Sequence, residues 1–134
     1  MDDSCYLLSR GYADTSVAQV VGNRYKLNKR QRDAIRRISA SEQEIATRNS
    51  SVIRASALKG KTIDIDGFNI LILMEGAMSG AFVFKGRDGT YRDISSVHGS
   101  YKRVVKTEEA ILLIGNVLKD LGVTSATWYL DQPV

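Results

Sequence analysis

The stretch Thr62-Ile63-Asp64-Ile65-Asp66-Gly67-Phe68-Asn69-Ile70-Leu71-Ile72 decides how the rest of the chain is read. Ile63 and Ile65 alternate with Asp64 and Asp66, and β-branched residues at period two predict a strand. Gly67 breaks that strand, because glycine tolerates backbone angles other residues avoid. Asn69 follows as a candidate helix N-cap, ahead of the apolar run Ile70–Met74. Asp66 therefore stands where a strand ends and a helix begins. In open α/β sheets that edge, beyond the carboxyl ends of the strands, is where ligands bind. A carboxylate there has two readings: it hydrogen-bonds the helix N-terminus, or it binds a divalent cation.

A second strand is expected at the far end of the chain. Val123–Leu130 includes Thr124, Thr127, Trp128 and Tyr129, residue types that suit a sheet, and Asp131 follows it. Two strands joined by a helical crossover run parallel, with their carboxyl ends on one side. Neighbouring strands lie about 4.8 Å apart, so Asp66 and Asp131 are expected to face one cation. Two acids converging on one edge are harder to explain as helix caps than one, which favours the metal reading.

Between these strands the punctuation is clear. Asn69–Met78 reads as a helix ending at Ser79-Gly80, and its Glu75 faces either water or the site. Gly86-Arg87-Asp88-Gly89 is a turn between strand-like Ala81–Phe84 and Thr90–Ile94, a predicted hairpin. Asp88 has a sufficient structural explanation in its Asp-Gly turn; Arg92 and Asp93 do not. His98 is the sole histidine and lies in a polar loop. Thr107 is expected to cap a helix with Glu108 and Glu109 in its first turn, a stripe of Ile111, Ile114, Leu118 and Leu121, and Gly122 at its end.

The front of the chain is helical and basic. Asp14 is placed to cap a helix carrying Val17, Val20 and Val21 on one face. Asn28 with Gln31, and Ser41 with Glu44, have capping-box spacing. Arg24, Lys26, Lys29, Arg30, Arg32, Arg36 and Arg37 face a single acid, Asp33, within one short segment. Residues 1–61 hold 12 Lys and Arg against 6 Asp and Glu, whereas residues 62–134 hold 7 against 9. Such asymmetry suggests that the front attracts a polyanion, although charge runs are commonly solvated helix faces. The boundary is expected near residue 57, dividing a basic helical segment, 1–57, from an α/β part, 58–134.

Composition narrows the class. The chain has 134 residues, 43% of them hydrophobic, enough for one domain with a core. It has no apolar run near the roughly 20 residues of a membrane helix, and its start lacks a signal-peptide pattern. Cys5 is the one cysteine, so there is no internal disulfide and no zinc spacing. A cytoplasmic protein with no membrane partner is expected.

The Ile65-Asp66-Gly67-Phe68-Asn69-Ile70-Leu71-Ile72 turn resembles the first strand of the PIN/NYN class of nucleases, where an Asp-Gly-x-Asn turn carries the first metal-binding acid. Along most of its length the chain resembles an uncharacterised prokaryotic family, DUF434 with a DUF5616-like C-terminal part. The matching stretches are Gly11-Tyr12, Val21–Tyr25, Leu27–Arg32, Ile65–Leu71, Gly86–Gly89, Tyr91–Asp93, Val97–Gly99 and Trp128–Val134. The resemblance implies an α/β, Rossmann-like sheet with parallel strands and a hairpin. The PIN/NYN resemblance also implies a metal-dependent nuclease acting on RNA or single-stranded nucleic acid. Asp66 and Asp131 would hold Mg²⁺ or Mn²⁺, with Asp93 or Glu75 as third carboxylate. Arg92 and His98 would contact phosphate, and Arg24, Lys29, Arg30, Arg32, Arg36 and Arg37 would steer the substrate. The family pattern continues past Leu130-Asp131-Gln132-Pro133-Val134, so a truncated sheet is expected, completed by a second copy or a partner chain. The rival class is a non-catalytic nucleic-acid-binding or assembly module whose acids cap helices.

Overall fold

A computed structural model describes residues 1–94 and 106–130. In chain order the elements are α1 Asp2–Leu8, α2 Asp14–Arg24, α3 Lys29–Ile38, α4 Glu42–Ser51, β1 Thr62–Asp66, α5 Gly67–Met78, β2 Phe84–Lys85, β3 Tyr91–Arg92, α6 Thr107–Asp120 and β4 Ser125–Tyr129. They form two compact units. The first holds Met1–Val52 and, among the described residues, 83–94; the second holds Ile53–Phe82 and 106–130. A single cut near residue 57 therefore does not divide the molecule in space, because the hairpin belongs with the basic helices.

In the first unit, α1 and α2 close over Cys5, Val17, Ala18 and Val21, all buried. Both expected capping boxes form: Asn28 and Ser41 each accept from the backbone N–H three residues on, with Gln31 and Glu44 reaching back. Their two starts split the Ile35–Ile45 stretch into α3 and α4, broken at Ser39–Ser41. Asp14 is not a cap. Ala13 takes that position, and the Asp14 carboxylate accepts from Arg36 Nε at 3.0 Å. The hairpin has shorter strands than its sequence suggests, since Phe82 and Val83 are exposed and stand outside β2. It is held to α3 by a hydrogen bond from the Arg87 N–H to the Ile38 carbonyl, 2.9 Å.

In the second unit, β1 and β4 are parallel, as their connection requires. Ile65 pairs with Trp128 and Asp66 with Tyr129. Ile63 and Ile65 are half-buried while Thr62, Asp64 and Asp66 are exposed, which is the expected alternation. The described part of this sheet has two strands, an α/β pairing smaller than a Rossmann-like sheet. The helix after β1 starts at Gly67, not Asn69. Gly67 permits this start. A Cβ there would lie 2.5 Å from Leu130 Cδ2 and 2.9 Å from the Tyr129 carbonyl oxygen, so the helix passes closer to β4 than any side chain allows. Opposite it, Leu71 of α5 and Ala110 of α6 are buried. Thr107 is not the α6 cap. Lys106 takes that position, and the buried Thr107 hydroxyl donates to Glu75 of α5. No helix among the described residues is long and apolar enough to cross a membrane.

Candidate functional site

Asp66 occupies the N-cap position of α5, with extended backbone (φ −71°, ψ 95°), yet its side chain makes no capping hydrogen bond. Instead its Oδ2 accepts from Asn69 Nδ2 at 2.6 Å. Oδ1 has no partner among the described residues, and the residue is exposed. The register sets Asp66 beside Tyr129, the last residue of β4. Asp131 and His98 lie outside the described residues, so their expected places in the site are not described.

The third-carboxylate candidates are each engaged with other groups. Glu75 is buried, 6% exposed, and holds the Thr107 hydroxyl. It lies nine residues beyond Asp66 along α5, a rise of about 13 Å, too far to share one ion with it. Asp93 belongs to the first unit, where it is buried and its carbonyl accepts from Arg37 Nε at 3.2 Å. Among the described residues no three His, Cys, Asp or Glu side chains gather as a metal site.

The basic segment also sorts itself. Arg32 is directed inward: its Nε donates to the Leu27 carbonyl at 2.9 Å, its Nη2 to Asn23 Oδ1 at 3.0 Å, and its Nη1 to the Gln19 carbonyl at 3.4 Å. It ties α3 to the end of α2. Arg36 pairs with Asp14, and Arg24 lies 3.7 Å from Asp3. Arg92 forms a fork on Asp88, with Nη1 to Oδ1 at 2.9 Å and Nη2 to Oδ2 at 2.6 Å. Lys29 and Arg30 are exposed with no partner among the described residues.

Among the described residues the most buried ion-pair centre is Asp88, which the sequence marks only as a turn residue. Asp88 is 4% exposed, and besides Arg92 it accepts from Arg48 of α4 and from the Thr90 N–H and hydroxyl. The Arg92 guanidinium holds the Asp88 carboxyl well below the usual carboxylate range, against the opposing effect of burial. Asp88 and Arg92 stand four apart across the Gly89 turn, a spacing that carries a signal; Arg48, forty residues away, carries none. Gly86 leaves room for the fork, because a Cβ there would stand 2.4 Å from Arg92 Nη1 and 2.6 Å from Asp88 Oδ1 and displace the pair. Arg36, Arg37, Arg48 and Arg92 line a cavity of about 540 Å³. Asp14, Asp33 and Glu44 line it too, and Arg48 and Arg92 are paired with buried Asp88. These acids balance the arginines, so the cavity is a charge-matched joint between helix and hairpin, not a cationic groove.

A family model described as a domain of unknown function, DUF5616, matches residues 55–134. The chain belongs to that family. The DUF5616 match covers every element from β1 to β4, and thus Asp66. A second model, a protein of unknown function, DUF434, matches residues 1–50, which contain α1 to α3 and nearly all of α4. The DUF5616 chain is 38% identical over 133 residues to a Methanocaldococcus jannaschii protein named uncharacterized protein MJ0935. The alignment takes in 99% of this chain and 64% of that protein, so the chain spans less than two thirds of its relative's length. No solved structure matches the chain.

Proposed function

We propose that the second unit is the metal-binding part of a nuclease-like protein acting on RNA or single-stranded nucleic acid. One observation carries this reading: Asp66 sits at a helix start without capping it. The bland explanation for an acid at that place is a hydrogen bond to the first-turn amides. Here the carboxylate turns to Asn69 and leaves Oδ1 open at the carboxyl edge of a parallel strand pair. That is the edge where α/β sheets bind ligands. One carboxylate suits Mg²⁺ or Mn²⁺ better than a caged ion, since Mg²⁺ keeps several waters and takes one or two carboxylates plus phosphate oxygens. Asp131 is the second carboxylate in this reading. When bound, such an ion lowers the pKa of a coordinated water and stabilises charge on the phosphate. Asn69 orients Asp66, and the α5 N-terminus favours a phosphate oxygen at the same edge. Lys29 and Arg30 of the first unit are exposed cations of the kind that bind a phosphate backbone.

The test is calorimetry with Mn²⁺ on the wild type and Asp66→Asn, alongside thermal melts. The wild type should bind and Asp66→Asn should not, with the fold retained because the side chain caps nothing. RNA cleavage in Mg²⁺ should vanish with the same substitution. Absent binding by the wild type, or equal affinity in both, removes Asp66 as a ligand. A large fall in melting temperature without any effect on metal binding would restore the capping role and leave a binding module.

A further inference from the structure

Aromatic rings and guanidinium groups alternate where α1 meets α2. Arg10 Cζ lies 3.4 Å from the centroid of the Tyr6 ring, and Arg24 Cζ lies 5.7 Å from that of Tyr25. Tyr6 and Tyr25 are 56% and 54% exposed. Asp3 anchors the second pair: it accepts from the Tyr25 hydroxyl at 2.8 Å and stands 3.7 Å from Arg24 Nε. Asp3, Tyr6 and Arg24 line one groove of about 230 Å³, floored by Leu7, Val20 and Val21. A stacked Tyr6–Arg10 pair alone is ordinary at four-residue spacing on a helix. A second ring–guanidinium pair, with Tyr6 of α1 and Arg24 of α2 lining one groove, is not explained by either helix alone.

We propose that this strip binds single-stranded nucleic acid by stacking its bases, an inference that rests on the nucleic-acid reading above and locates the strand. Every base offers a π-face to a ring or a guanidinium plane, and sequence-tolerant single-strand binders combine such platforms with cations along the backbone. The charge suits this ligand. Arg10 and Arg24 belong to the pairs, Lys26, Lys29 and Arg30 follow on the α2–α3 connection and first turn, and Asp3 is the acid within the groove. A duplex hides the faces that these rings would take, so the strip selects unpaired strands.

Fluorescence anisotropy of the full chain tests this with an adenine oligoribonucleotide of about 12 nucleotides, in EDTA so that cleavage plays no part. An abasic strand of equal length and charge is the comparison. The wild type should bind the base-bearing strand at least about tenfold more tightly than the abasic one. Tyr6→Ala and Tyr25→Ala should each weaken binding about tenfold, while Tyr6→Phe and Tyr6→Trp retain it. Absence of binding by the wild type, equal affinity for the abasic strand, or unchanged binding by Tyr6→Ala overturns the proposal. If an alanine variant melts early, the abasic comparison and the aromatic variants decide. In EDTA no cation occupies the Asp66 edge, so strand binding is read separately from metal binding. Loss of metal binding and loss of stacking are thus separate failures.

Discussion

Replacing Asp88 with Asn removes the carboxylate that Arg92, Arg48 and Thr90 share. Arg92, with its side chain 20% exposed, is then left without its counter-charge. Breaking a fully buried pair costs about 3–5 kcal/mol; Arg48 keeps 40% exposure, so a loss of about 2–3 kcal/mol is expected for Asp88→Asn by denaturant unfolding. The pH dependence has a fixed sign. The folded-state pKa of Asp88 is depressed from its ordinary 3.8, so its stabilisation is complete above about pH 4 and is lost as pH falls below that value. Melting curves of the wild type should drop over that acid range more steeply than those of Asp88→Asn. At this scale the sequence was legible where partners are near. Asp66 stands at the strand–helix junction that its alternation and Gly67 indicate. In sequence Arg32 is indistinguishable from the other cations of its segment, because its acceptors, two of them backbone carbonyls, depend on how α3 meets α2, and no spacing records that.

Elements follow local rules closely enough for their ends to be tested. Asn28 and Ser41 were recognisable as caps because both halves of a capping box lie within four residues. Asn28→Ala and Ser41→Ala should each lower stability by about 1 kcal/mol, measured by thermal or urea unfolding. A smaller effect than at a surface control site would remove their capping role. Asp14 and Thr107 are cap-forming residue types without the second half of a box, and they pair instead with Arg36 and Glu75, at distances along the chain that pattern reading does not span. The start of α5 is a sharper case. Gly67→Ala should destabilise the protein despite alanine's higher helix propensity, because the new methyl meets Leu130 and the Tyr129 carbonyl. A more stable Gly67→Ala would show that α5 and β4 are not packed this closely.

At the scale of the whole molecule, the chain leaves the first unit after Val52 and returns to it at Val83. Composition marked the change near residue 57 but not the return, because what brings the hairpin back is the Arg48–Asp88 pair and the Arg87–Ile38 hydrogen bond. A fragment of residues 1–57 should therefore melt less cooperatively and at lower temperature than the first unit within the full chain, by circular dichroism. Equal melting would show that the hairpin adds nothing to those helices. The parallel pairing of β1 with β4 carries a kinetic consequence. A hairpin closes a few residues; this pair must bring together segments separated by about 60 residues, at a chain-entropy cost of roughly 3–4 kcal/mol before any contact offsets it. Such distant pairings form slowly, and helices with local contacts form first. Trp128, the one tryptophan, lies on β4 opposite Ile65. Its emission would thus act as a clock for the last step of refolding, lagging behind the far-ultraviolet helix signal in the same stopped-flow trace.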